Sequence, residues 1–149
     1  MRTKVNEISI SYTQKIKNNN CQRLNSSIEV ANYLRSLWNP DTISIYESFV
    51  VLMLNNSNRV NGFYTLSTGG INATCVDIRI LFAIVLKSLS TGIILAHNHP
   101  SGNLNPSESD KNLTQKVIKA GKLFDIKTLD HIILTPENNY FSFADEGLI

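Results

Sequence analysis

Two histidines stand two residues apart at the end of an apolar run, in Leu95-Ala96-His97-Asn98-His99-Pro100-Ser101-Gly102. Residues i and i+2 of a strand point to one face, so His97 and His99 would present two imidazoles side by side. Pro100-Ser101-Gly102 ends the strand just beyond them. Asp110 follows eleven residues after His99, near the start of a helix. It is in phase with Leu113 and Val117, which puts a carboxylate on a core-facing stripe. Such a position is costly unless the carboxylate is paired or bound to a cation. Two imidazoles and one carboxylate fill three positions around a zinc ion and leave one open, as catalytic rather than structural zinc requires. The plainer reading of Asp110 alone is a first-turn carboxylate facing the helix dipole.

Two further residues could complete a hydrolytic site. Ser107 lies one turn before Asp110; it is either a capping hydroxyl or a donor to an oxyanion formed on attack. Glu47, in a strand read from Ile45, is in phase with Phe49, Val51 and Met53. A charged residue on an apolar face is a candidate proton carrier, and an edge position open to solvent is the alternative. His131, between Leu129 and Ile133, reads as a hydrogen-bonded structural histidine. Asp77 and Arg79 either pair with each other or line a cleft.

The elements that must position these groups follow from periodicity and punctuation. Val5 to Tyr12 alternates and suggests a short strand or an extended arm. Ser26 with Glu29 forms a capping box for a helix with an apolar stripe of Val30, Leu34, Leu37 and Trp38, closed by Asn39-Pro40. Ile43 to Leu54 and Arg59 to Leu66 form a hairpin around Asn55-Asn56-Ser57-Asn58, and Thr68-Gly69-Gly70 breaks its second strand. Val76 to Leu89, apolar on two faces, reads as a buried helix. Ile93 to Ala96 is a central strand that delivers the histidines. Asn105 caps the next helix, with Pro106 at its first position, and the helix runs to about Lys122. Leu129 to Thr135 and Tyr140 to Phe143 close the order αββαβαββ. We expect one α/β domain over residues 26–149, a mixed sheet with helices packed on it, preceded by an arm over residues 1–25.

Composition bounds the function. The chain has 149 residues, 42% hydrophobic and 17% charged, enough for one domain with a core of its own. No apolar run approaches the roughly 20 residues of a membrane span, and Met1-Arg2-Thr3-Lys4 does not begin a secretory signal; a cytoplasmic protein is expected. Cys21 and Cys75 lack paired spacing and are expected to be free buried thiols. A net charge of +2 does not favour nucleic acid. Lys111, Lys116, Lys119 and Lys122 on one helix read as a solvated face as readily as a DNA contact.

The spacing His97-x-His99, Ser107-x-x-Asp110, with Glu47 upstream, resembles the signature of the JAMM (MPN-type) metalloproteases. The wider text is closer to the bacterial RadC-type branch, through Glu47-Ser48-Phe49, Ser67-Thr68-Gly69-Gly70, His97 to Gly102, Leu129-Asp130-His131-Ile132-Ile133 and Tyr140 to Gly147. The resemblance covers Ser26 to Ile149 and implies a cytidine-deaminase-like MPN fold. It implies Zn2+ held by His97, His99 and Asp110, with Glu47 as general acid/base and Ser107 as oxyanion helper. The implied activity is hydrolysis of peptide or isopeptide bonds in an unknown protein or peptide. It also implies a short form, because residues 1–25 are too few for the helix-hairpin-helix region of longer relatives. The tight spacing excludes the loops with which ubiquitin-cleaving relatives grip their substrate. Two other readings are a non-catalytic metal-binding module in DNA repair or mobile-element maintenance, and, weakly, an HNH nuclease from the literal His97-Asn98-His99.

Overall fold

Ser26 starts the first helix, α1 (Ser27–Leu37), by accepting the Glu29 amide at 3.3 Å. The Glu29 carboxylate turns back to the Asn25 amide at 2.8 Å, one residue earlier than a capping box would have it. The computed structural model describes residues 4–69 and 75–149. Beyond α1 come β1 (Ser48–Leu54), β2 (Val60–Thr68), α2 (Ile78–Lys87), β3 (Gly92–Asn98), α3 (Glu108–Lys122), β4 (Lys127–Leu134) and β5 (Tyr140–Ser142), with a 3-10 turn at Asn18–Asn20 ahead of them. This is the order αββαβαββ.

The five strands form one mixed sheet in the order β2-β1-β3-β4-β5. Only β3 and β4 run parallel; the other neighbours are antiparallel. Helix α3 makes the crossover that a parallel pair needs. Strand β3 lies at the centre and is buried along its whole length. Alternate residues feed two cores. On one face Val50, Leu52, Leu54, Ile94, Ala96, Ile132 and Leu134 pack under α1. On the other Phe49, Val51, Met53, Ile93 and Leu95 meet Leu81, Phe82 and Val85 of α2 and Val117 of α3. Gly121 lets the end of α3 close on the next strand: a Cβ there would lie 2.6 Å from the Ile126 carbonyl oxygen.

Several sequence expectations are corrected. Val5 to Tyr12 forms no strand and is exposed, with Ile8 and Ile10 more than four-fifths accessible. Strand β1 starts at Ser48, not Ile43, because the Asn98 carboxamide takes the carbonyls of Ile43 and Tyr46 at 2.8 and 3.0 Å and holds that segment in turns. Helix α2 ends at Lys87 and buries one face only, leaving Ile80 and Leu86 exposed, as is Leu89 beyond its end. Helix α3 is capped by Ser107, not Asn105. Cys75 is exposed and Cys21 half-buried, so neither is the buried thiol expected. Gly70, read as a strand breaker, lies outside the described residues. Among those described, no helix is long and apolar enough to cross a membrane.

Candidate metal centre

Strand β3 ends by placing His97 against Phe49, its register partner on β1, with the rings stacked at 5.8 Å and 8°. His99 lies just past the strand, where its amide still bonds the Leu134 carbonyl at 2.8 Å. The chain then turns sharply: the Gly102 amide bonds the His99 carbonyl at 3.1 Å, and Gly102 takes φ +82°, a conformation glycine adopts without strain. The turn leads into α3, whose first residues close a reciprocal capping box. The Ser107 hydroxyl accepts the Asp110 amide at 3.0 Å, and the Asp110 Oδ2 accepts the Ser107 amide at 2.8 Å. That pair of bonds fixes the Asp110 carboxylate over the strand end.

Three donor atoms converge there. His97 Nε2 and His99 Nε2 are 2.9 Å apart, with Asp110 Oδ1 3.4 Å from the first and Oδ2 3.6 Å from the second. Among the described residues, these three form the one group of histidine, cysteine and acidic side chains suited to an ion. Their donor chemistry fits zinc. Tetrahedral ligands at zinc distances stand about 3.3 Å apart, and the observed separations bracket that value. His99 Nδ1 must donate to the Asn103 carbonyl, 2.6 Å away, because a carbonyl only accepts. In the neutral ring the Nε2 lone pair therefore faces the other two donors. His97 is almost wholly enclosed, while His99 and Asp110 keep 14% and 16% of their side chains accessible, so the point of convergence opens to solvent on one side.

The charges of the cluster are set by its own members and their backbone partners. Burial would raise the Asp110 carboxyl, yet the two imidazoles beside it and the Ser107 amide hold it well below the ordinary carboxylate range. Burial likewise disfavours the charged form of His99, but Asp110 and the Asn103 carbonyl outweigh it and raise its pKa.

Glu47 sits immediately before β1, in the extension of the register that pairs Phe49 with His97 and so toward His99. It is buried at 9% exposure. Its backbone is held on both sides: the Gly69 amide bonds its carbonyl at 2.7 Å, and the following Ser48 amide bonds Asn98 Oδ1 at 2.8 Å. Burial raises the Glu47 carboxyl, with Asp110 adding to the shift and the two histidines opposing it. Asn98, between the histidines but on the opposite face of the strand, thus ties the Glu47 segment to β3. In the sequence it stood out only as the middle of the literal His97-Asn98-His99; a polar residue within a buried strand was the signal for its structural role.

Two more residues join the site from behind. His131 Nε2 lies 2.8 Å from His97 Nδ1, and its Nδ1 lies 2.7 Å from the Thr114 hydroxyl. His131 is completely buried, and burial takes its pKa well below the usual histidine value. Thr114, inside α3, carried no sequence signal. Asp77 and Arg79 pair with each other at 3.0 Å on the surface, where Asp77 caps α2.

A mixed five-strand sheet with helices on both faces, carrying this cluster at the end of its central strand, defines an α/β domain of the JAB/MPN type. Residues 24–148 match the model of the RadC-like JAB domain, and the chain belongs to that family. It is similar to a UPF0758 protein of Flavobacterium johnsoniae, 53% identical over 103 residues that cover 69% of this chain and 44% of the other. The UPF0758 protein FN0909 of Fusobacterium nucleatum is 37% identical over 146 residues, 95% of this chain and 61% of that one. The UPF0758 protein YeeS of Escherichia coli is 43% identical over 103 residues, 69% of each. The chain spans about half the length of the first two relatives.

Proposed function

We propose that this domain is a zinc-dependent hydrolase of peptide or isopeptide bonds. The observation that carries the proposal is the meeting of His97 Nε2, His99 Nε2 and the Asp110 carboxylate on the solvent-accessible side of a buried strand end. These three residues would hold the ion. Zinc, when bound there, supplies Lewis-acid polarisation and lowers the pKa of water to about 7. Glu47, buried beside the cluster, takes a proton from the attacking water and returns it to the leaving nitrogen. The oxygen of Ser107 accepts the Asp110 amide, which leaves its proton free to donate to the oxyanion.

The substrate is a protein or peptide, met in the cytoplasm; the charge balance offers DNA little. The test is a comparison of zinc-loaded wild-type and Glu47→Gln proteins on a proteome-derived peptide library, reading new amino termini. Termini made by wild-type alone support hydrolysis. Identical profiles, with a chelator lowering the melting temperature, would contradict it and leave a metal-stabilised scaffold.

A further inference from the structure

His131 occupies a place where an apolar side chain would be the simpler choice. Its ring is fully buried, stacked on Phe143 at 4.6 Å and 17° and edge-on to Phe49 at 5.5 Å. Burying an imidazole costs free energy that a leucine would not incur, unless both nitrogens are used. Both are. Nε2 meets His97 Nδ1 and Nδ1 meets Thr114 Oγ1, whose own proton goes to the Asp110 backbone carbonyl at 2.7 Å.

The direction of every bond in this chain follows from its last member. The Asp110 carbonyl has no proton to give, so Thr114 donates to it. A hydroxyl has one proton, so Thr114 accepts from His131 and the proton of His131 is on Nδ1. An uncharged imidazole then has a bare Nε2, which accepts from His97 Nδ1–H. That places the His97 lone pair on Nε2, the atom facing His99 and Asp110. The chain of bonds leaves Asp110 through its backbone and ends at the bare His97 Nε2, 3.4 Å from the Asp110 carboxylate. It links β4, β3 and α3, and an ion would join the two groups that have no proton to share.

We propose that His131 and Thr114 are positioning residues for the metal centre: together they fix His97 in the tautomer and ring orientation that present Nε2 to an ion. The parallel register places them for it, since Leu95 pairs with His131 and His97 with Ile133, one step along the same face. The inference rests on the metal reading above and extends it to two residues that touch no ligand position. An outer partner of a ligating histidine acts in this way, and its loss typically lowers metal affinity about 10- to 100-fold.

The test measures zinc affinity by chelator competition and histidine tautomers by long-range 1H–15N NMR. His131→Leu should fold and bind zinc about 10- to 100-fold more weakly. His131→Gln, which can set an amide oxygen where Nε2 was, should recover most of that loss. Thr114→Val should weaken zinc without touching it, and should add little in the His131→Leu background, because one chain of bonds is already broken. The spectra should show His97 protonated on Nδ1 in wild-type protein. Wild-type protein that binds no zinc would overturn the metal reading and this inference with it. Zinc binding by wild-type protein with equal affinity in His131→Leu, or in Thr114→Val should the first variant not fold, would overturn the inference alone. A His97 proton on Nε2 in the metal-free protein would do the same.

Discussion

The two faces of the central strand do different work with alternate residues of one segment. Ile94 and Ala96 point under α1 into a core of aliphatic side chains, whereas Ile93 and Leu95 begin on the opposite face and the next residue in phase is His97. Along that second face the packing changes from Met53 and Val51 to Phe49 and then Glu47, and from Leu95 to His97. The first face is closed beneath α1, and its contribution is mainly the ordinary one of buried apolar area. The second gives up part of that contribution at one end, where buried polar groups are arranged with their hydrogen-bond partners already chosen. Stability and chemistry are thus separated by the parity of the residue number, with Asn98 the exception that stabilises the site from the closed side.

Substitutions on the two faces should separate accordingly. The largest effect is expected at Glu47: Glu47→Gln keeps the shape, should retain zinc and stability, and should lose about 10²- to 10⁴-fold in turnover. Full activity in that variant removes Glu47 from the mechanism. On the closed face, Leu52, fully buried, gives the converse. Leu52→Ala should cost about 2–5 kcal/mol of unfolding free energy in denaturant titrations while the zinc content of folded protein is unchanged. A lost metal there would show the faces to be coupled.

A finer comparison sets two caps side by side. Ser26 and Ser107 each accept the amide three residues on. Replacement of either by alanine should cost about 1 kcal/mol. Only Ser107→Ala should also slow hydrolysis per folded molecule; an equal rate would reduce Ser107 to a cap.

The smallest effect concerns Asp130, whose buried carboxylate accepts the His131 and Ala144 amides at 2.7 and 3.0 Å and the Ser142 hydroxyl at 2.6 Å. Burial raises its pKa despite those bonds. The folded state therefore holds this proton more tightly than the unfolded chain does, and the group favours folding most at low pH. Relative to Asp130→Asn, wild-type stability should fall as pH rises from the ordinary carboxyl range through the raised value, then level off. A difference that grows with pH would show the hydrogen bonds to outweigh burial.

Much of the fold was legible because its elements are marked locally. The hairpin has its Asn-rich turn, with Asn58 at φ +56°, and the central strand has an unbroken apolar run. What was not legible depends on partners distant in sequence. Ile43 and Ile45 look like strand residues, and the carboxamide of Asn98 decides otherwise. Pro106 suggested a cap at Asn105; the reciprocal bonds of Ser107 and Asp110 moved the helix start by two residues. The apolar text from Val76 to Leu89 did not reveal that Ile80 and Leu86 of α2, and Leu89 after it, are exposed. At the site, the pairing of His97 with His99 followed from strand period. The place of Glu47 depends on the β1–β3 register and that of His131 on the parallel β3–β4 register, and no local pattern encodes either.

The account stands on an ion held by His97, His99 and Asp110. Elemental analysis of the purified protein and of its His97→Ala and Asp110→Ala variants measures that directly. Wild-type protein should carry close to one zinc per chain, and both variants, folded by circular dichroism, should lose it. Full zinc occupancy in both variants, or none in zinc-loaded wild-type protein, would contradict the account.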